Sequence, residues 1–456
     1  MQAVHRKTLV VDGITPVGAY AALRRDAGQG SFLLESVVPG ERWGRYSILG
    51  YRPRSQVVLH ARPGEEPFQR LSELVRTGGD QPDDVAARFT GAHVGVVAYD
   101  VVHYVTKVDP WPTQSEPLAR LIGDGTVIVF DNLEHTATVA SRDVASVERA
   151  ERDLTRVPAL PPLPPPDPAA QPSDVDVNMS DEEYGQRVET CKEYIRAGDA
   201  FQIVPARTFS TPAGEADPFD VYRALRVLSP APYMYLLEFP ARDDAPAVAI
   251  AGASPETLVR VEDHRITLRP IAGTRRRGRS PEEDEHLAEE MLSDPKERAE
   301  HVMLIDLARN DVGRVSEAGT VHVPVRMKVD RFSHVMHIVS EVEGRLHAGQ
   351  GSWDVLRATF PAGTLTGAPK VRAMQIIREL EKRPRGAYGG AIGYVTQGHD
   401  LDFAIAIRTV VMQGGRFEVT AGAGIVADSV PTLEAKETRN KAKAALAAIH
   451  AARSNR

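Results

Sequence analysis

Eight prolines fall within residues 157–173, Val-Pro-Ala-Leu-Pro-Pro-Leu-Pro-Pro-Pro-Asp-Pro-Ala-Ala-Gln-Pro-Ser. Proline lacks a backbone N–H and fixes φ, so this run can be neither a helix interior nor a central strand. It reads as an extended polyproline-type connector over 156–175. A ligand for an SH3-type module is the other reading of such a composition. As a connector it divides the 456-residue chain into an N-terminal part, 1–155, and a larger C-terminal part, 176–456. That length allows one large domain or two to three ordinary ones.

On both sides of the run, short apolar strands alternate with tight turns. In the N-terminal part, residues 31–36 read as a strand before a Pro39-Gly40 turn, and 94–102 as β-rich. Residues 126–130 turn at Asp131-Asn132 into 136–140 as a hairpin. The C-terminal part opens with a capping box, Ser180-x-x-Glu183, and a helix to about Ala197. A strand is expected over 201–204 and a helix from Asp217-Pro218. Strands follow at 234–239, 248–251, 258–261 and 266–268, then at 332–342; helices are expected near 353–359 and over 370–381. Two further hairpins turn at Gly398-His399 and Gly414-Gly415. Strands joined by tight turns form antiparallel sheets, so the expected class is α+β, with helices outside.

Two helix starts carry paired carboxylates. Asp294-Pro295 is a capping residue followed by a first-turn proline, and Glu297 and Glu300 then share one face. Val302, Met303, Leu304, Ile305, Leu307 and Ala308 make the continuation apolar nearly all round, which predicts a buried helix. Behind Pro431, Glu434 and Glu437 repeat the i, i+3 spacing. Four convergent carboxylates suit a hard divalent cation such as Mg²⁺. Two solvated acidic first turns, favourable to the helix dipole, are the alternative.

Composition narrows the partners. A net charge of -7 gives no polybasic surface for nucleic acid or anionic lipid. The single cysteine, Cys191, excludes an internal disulfide and a cysteine zinc cluster. No signal-type core follows Met1 and no stretch is long enough to span a membrane, so a cytoplasmic protein is expected.

Residues 360–370, Phe-Pro-Ala-Gly-Thr-Leu-Thr-Gly-Ala-Pro-Lys, fall short of a phosphate loop: Gly363 to Gly367 is one residue too close, and Pro369 removes an amide. The stretch still offers hydroxyls and amides near a helix start, as Gly422-Ala-Gly424 offers small residues, and either could cradle a carboxylate. Arg408 stands in the apolar run Ala404-Ile-Ala-Ile-Arg-Thr-Val. It either snorkels to a strand end or pairs with a buried anion.

Taken in order, these motifs resemble the chorismate-utilising enzymes, and among them the component I chains of anthranilate synthases. The resemblance runs from Leu33-Leu-Glu-Ser36 to Lys443 and is dense after residue 195. Its carriers are Gly198-Asp-Ala-Phe-Gln202, Ala253-Ser-Pro-Glu256, Arg269-Pro-Ile-Ala-Gly-Thr274, residues 300–311, His337-Ile-Val-Ser340, residues 360–370 and Gly422-Ala-Gly-Ile-Val-Ala-Asp-Ser429. The fold this implies is two large packed antiparallel β-sheets flanked by helices, with a cleft at the sheet ends.

The roles it implies are specific. Glu300 and Glu437 would hold Mg²⁺, with Glu297 and Glu434 as further or outer ligands. Tyr388, Arg408, Lys441 and the amides of Gly422, Ala423 and Gly424 would grip the two carboxylates of chorismate, and Gly273 and Thr274 would line its ring. Glu256 resembles the acid that protonates the departing hydroxyl, and His337 the histidine that assists pyruvate elimination. Thr364 and Gln202 join the catalytic set. The implied reaction joins chorismate and ammonia to give anthranilate and pyruvate, the first committed step of tryptophan biosynthesis. Aminodeoxychorismate synthase and isochorismate or salicylate synthase are the alternatives within the family. Water-using relatives carry lysine where Gln202 stands, and aminodeoxychorismate synthases carry lysine where Ala272 stands. Cys191 sits mid-helix without a nucleophile turn, so a separate glutamine amidotransferase subunit would supply ammonia, the two forming a heterotetramer. Glu35, Ser36, Pro232, Tyr233 and Met234 resemble the family's L-tryptophan feedback site. Ser229, where asparagine is frequent, and Val38-Pro39 depart from it.

Overall fold

The computed structural model describes residues 3–454 apart from 25–29, 37–41, 63, 79–81, 83, 113–115, 158–159, 333–334 and 399. The Pro39-Gly40 turn, the Val38-Pro39 departure and His399 lie outside the described residues. Two large sheets dominate, and their strand pairings are antiparallel. The larger has eleven strands, with His5–Val10 at one edge and Asp176–Val177 at the other. At its centre Ser31–Glu35, Tyr233–Phe239, Val248–Ser254 and Thr409–Gln413 lie side by side, followed by Arg416–Gly422 and Ala206–Pro212. The ten-stranded sheet runs from Ile271–Arg276 through Val335–Arg345, Arg265–Leu268, Thr257–Glu262, Leu401–Ile405 and Ala391–Val395 to N-terminal strands ending at Ser55–Leu59. Strands from both sides of the proline run therefore build both sheets.

Period-two alternation explains the layering. Met234 and Leu236 pack with Tyr222, Leu225 and Ile449 under the helices Pro218–Leu228 and Pro431–Ser454. Tyr235 and Leu237, one residue over, pack with Val94, Val96, Ile122 and Ile392 of the other sheet. A second helical layer, including Pro295–Gly313 and Ser352–Thr359, covers the outer face of the ten-stranded sheet through Ile305, Leu356 and Phe403. The α+β sandwich flanked by helices is thus the observed architecture.

Several expectations are corrected. The Pro295–Gly313 helix is one-sided rather than buried all round: His301, Leu304, Ile305, Ala308 and Val312 face in, while Val302, Asp306 and Arg309 are exposed. Its apolar count exceeded its apolar stripe. The β-rich stretch 94–102 is a strand only over His93–Val97; Tyr99–Val101 and Val102–Val105 are helical turns. The strand expected over 332–342 is Val335–Arg345, and its partner His322–Arg331 went unread because Pro324 and two register shifts break its pattern. The capping box at Ser180 and Glu183 is present, with Ser180 N–H donating to Glu183 at 2.7 Å. Among the described residues no helix is long and apolar enough to cross a membrane.

Candidate active site

The chain leaves the ten-stranded sheet at Ile405 and enters the eleven-stranded one at Thr409. Arg408 sits at that corner with φ +52°, a left-handed conformation that a side-chain-bearing residue holds only when its surroundings impose it. This corrects its expected place inside a strand. Around the corner opens a cavity of about 520 Å³. Ala272, Gly273, Thr274 and His337 reach it from the ten-stranded sheet, Thr420, Ala421 and Gly422 from the other, and Glu256 from the link between Val248–Ser254 and Thr257–Glu262. Helices bring Lys296, Glu300, Glu434, Glu437 and Lys441, and Gln202, Thr364, Tyr388 and Gly424 also line it.

Two of the expected residues stand elsewhere. Ala423 is fully buried, and its N–H donates to Pro205 O at 3.3 Å and Tyr184 Oη at 3.2 Å, so that amide is already used. Glu297 lies behind the lining, its Oε1 accepting from Arg275 at 2.9 Å. Lys296, Asp428 and Ser429 also line the cavity without an expected role, although Asp428 and Ser429 close the Gly422–Ser429 motif.

Burial pushes the Glu256 carboxyl up to about 7, opposed by the Thr364 hydroxyl, which donates to Oε1 at 3.0 Å, and by the Lys441 charge. A carboxyl that is half protonated near neutrality can donate a proton there. His337 is shifted the other way: burial lowers its pKa, so the ring is neutral. Its Nδ1 lies 2.8 Å from Gly273 O, a carbonyl that can only accept, so Nδ1 carries the proton and Nε2 a free lone pair. Thr274 Oγ1 also stands 3.1 Å from Nδ1.

Of Lys441 and Arg408, Lys441 is the one with fixed partners among the described residues. Lys441 Nζ donates to Gly422 O at 3.0 Å and pairs with Glu437 one helical turn away at 2.7 Å. Arg408 lines the cavity with its pKa lowered by burial, a guanidinium with more charge than local compensation. A Cβ at Gly422 would stand 2.8 Å from Tyr388 Oη, so glycine lets this hydroxyl approach the backbone. Behind Tyr388, buried Arg385 donates to Leu365 O at 2.8 Å, Val204 O at 2.7 Å and Glu381 Oε1 at 2.6 Å, fixing three segments of the wall.

Three carboxylates, Glu300, Glu434 and Glu437, line one wall. Gln202 Nε2 donates to Glu300 Oε1 at 3.4 Å. Burial, and then the Glu437 charge, raise the Glu434 pKa. An all-oxygen anionic wall of this kind suits a hard divalent cation, which would relieve that repulsion. Among the described residues no three His, Cys, Asp or Glu side chains gather closely enough to hold a metal ion on their own.

Cations, several carboxylates, a carboxyl that titrates near neutrality and a neutral histidine thus meet where the chain crosses from one sheet to the other. A family profile described as chorismate binding enzyme matches residues 40–447. The chain belongs to the chorismate-binding enzymes. Anthranilate synthase component 1 of Aquifex aeolicus is 42% identical over 97% of this chain and 94% of the relative. That of Pseudomonas putida is 42% identical over 96% and 94%. The crystal structure of anthranilate synthase component I from Streptococcus pneumoniae superposes with a TM-score of 0.74 at 36% identity, covering 90% of this chain and 94% of that one. The menaquinone-specific isochorismate synthase of Escherichia coli reaches the same TM-score at 18% identity and shows the shared fold. The chain is thus an enzyme of the chorismate-binding family, and the two relatives named first match it along nearly its full length.

A second cavity, of about 390 Å³, opens between the sheets, away from the first. Glu35, Ser36, Pro232, Tyr233 and Met234, separated by almost two hundred residues, all line it. Pairing of Met234 with Glu35 in adjacent strands brings them together. Glu35 accepts from Tyr222 Oη at 2.6 Å and pairs with Arg226 at 3.0 Å, while Ser36 Oγ is buried without a partner among the described residues.

Proposed function

We propose that the chain joins chorismate and ammonia to give anthranilate and pyruvate. The observation that carries this reading is the cavity's pairing of a protonatable Glu256 with Gln202 and Ala272, where neither of the latter can act as a base or a covalent nucleophile. Arg408, Lys441 and Tyr388 would bind the substrate's two carboxylates, with the Gly422 backbone close against them. Gln202 would orient ammonia, which needs no deprotonation. The ammonia nitrogen attacks the ring, the C–O bond to the ring hydroxyl breaks, and Glu256 gives its proton so that water departs. The new ammonium group loses one proton, which restores the balance. His337, neutral at Nε2, would then take the ring proton as the enolpyruvyl C–O bond breaks; protonation of the released enol gives pyruvate.

Glu300 and Glu437, with Glu434 beside them and Glu297 behind, would hold Mg²⁺. When bound, the ion supplies positive charge against the substrate's ring carboxylate. The residues themselves keep that wall anionic and oriented.

Ammonia would come from a glutamine amidotransferase subunit, the partner that a component 1 chain implies. Cys191, the only cysteine, is buried in the Asp181–Arg196 helix, and burial pushes its thiol up to about 12, which leaves no thiolate nucleophile. A heterotetramer of two chains of each kind, working in the cytoplasm, is the assembly proposed. The second cavity would take L-tryptophan as a feedback inhibitor, at Glu35, Ser36, Pro232, Tyr233 and Met234. With chorismate, Mg²⁺ and ammonium the purified chain should release fluorescent anthranilate, and with glutamine alone none. Glutamine-dependent product from the pure chain would contradict the division of labour.

A further inference from the structure

Two tyrosines on one strand each reach a threonine that is the sequence neighbour of a charged cavity residue. Tyr233 and Tyr235 are two apart on Tyr233–Phe239 and so point to the same face. Tyr233 Oη donates to Asp402 Oδ1 at 2.8 Å, and Thr257 Oγ1 lies 3.0 Å away; with the tyrosine proton used, Thr257 is the donor. Thr257 follows Glu256, and the register of its strand against Leu401–Ile405 shifts between Thr257 and Val259. Such irregularities re-aim side chains, so the Tyr233 bond clamps the point at which Glu256 is aimed.

Tyr235 makes the matching contact. Its partner across the strand pair is Gly252, whose own far-side partner is Thr409. A Cβ on Gly252 would stand 2.3 Å from the Tyr235 ring, so glycine clears the ring's path. Tyr235 Oη then reaches Thr409 Oγ1 at 2.6 Å, while Thr409 gives its proton to Ile407 O at 2.8 Å. Thr409 follows Arg408, the residue held at φ +52°.

We propose that Tyr233 and Tyr235 are positioning residues, the first aiming Glu256 through Thr257 and the second aiming Arg408 through Thr409. This rests on the reading of Glu256 as acid and Arg408 as carboxylate grip. Both tyrosines also line the second cavity, so a ligand seated there touches the groups that set acid and grip together.

The two bonds should separate in kinetics, and tryptophan is not needed to see it. In the full chain with ammonium, Tyr233→Phe should lower kcat roughly tenfold, with the chorismate KM within about twofold, because a bond that aims the acid acts on the chemical step. It should also move the alkaline limb of the kcat–pH profile. Tyr235→Phe should instead raise the chorismate KM roughly tenfold with kcat nearly kept. Thr257→Val should reproduce Tyr233→Phe, and the double variant should be no worse than either single one. Equal changes in both tyrosine variants, unchanged kinetics, or additive losses in the Tyr233/Thr257 pair would overturn the proposal. If a tyrosine variant does not fold, Thr257→Val and Thr409→Val carry the same comparison. A wild-type chain without anthranilate-forming activity would overturn the proposed function instead.

Discussion

Glu256 combines a buried carboxyl with a single strong neighbour, the Thr364 hydroxyl, and burial raises its pKa to about 7. Its folded pKa lies above the ordinary unfolded value near 4.3, so its contribution to stability is complete below that value and is lost as pH rises through 7. Glu256→Gln should therefore lower kcat by about 10²–10⁴-fold while raising Tm relative to wild type above pH 7. A thermal melt at pH 6 and pH 8.5 checks the sign: an equal Tm difference at both would contradict it. At fixed free ammonia, kcat should fall as pH rises beyond about 7, and a dianionic substrate beside the carboxyl moves that limb upward. Sequence reading reached Glu256 through the Ala253-Ser-Pro-Glu256 motif, but its proton affinity depends on burial that no motif displays. Ala423 illustrates the converse. Small residues suggested three free amides, whereas Tyr184 and Pro205 already bind the middle one.

At the scale of elements, two helix starts present the carboxylates, and their placement depends on what lies behind them. Arg207, 2% exposed, ties the Pro431–Ser454 helix to its neighbours: Nε donates to Thr438 Oγ1 at 2.9 Å, and the terminal nitrogens to Ala435 O and Asp181 Oδ1 at 2.8 Å each. Arg207→Ala strips partners from all three and should cost about 3 kcal/mol in chemical denaturation. It should also raise the chorismate KM, since Glu434, Glu437 and Lys441 ride on that helix; a variant as stable as wild type would contradict this account of the network. Glu300→Gln should abolish Mg²⁺-dependent turnover with Tm unchanged, and full activity at saturating Mg²⁺ would remove Glu300 from the proposed metal set. Caps, prolines and hairpin turns made most elements legible, as at Asp294-Pro295 and Ser180-x-x-Glu183. Arg408 was not, because a corner between two sheets looks like one continuous apolar strand until the register of both sheets is known.

For the whole molecule, the organising fact is that segments far apart in sequence share each sheet, so a site and a distant cavity are walled by the same strands. Ser36→Ala and Met234→Thr line only the second cavity. Each should raise the tryptophan concentration needed for half inhibition while leaving the uninhibited rate within about twofold, as expected when two sites couple only through differential binding. Equal inhibition curves for variant and wild type would contradict a tryptophan site there. Antiparallel sheets with helices outside were readable from alternating strands and turns, and the packing of two large sheets only from the family resemblance; the sharing of both sheets across the proline run was not readable, since strand order depends on long-range pairing. The central claim is the choice of nucleophile, and chromatography of the products made from chorismate and Mg²⁺, with and without ammonium, tests it most directly. Anthranilate and pyruvate should form in equal amounts with ammonium, and no aromatic product without it. Isochorismate or salicylate in the absence of ammonium, or a 4-amino product in its presence, would contradict it.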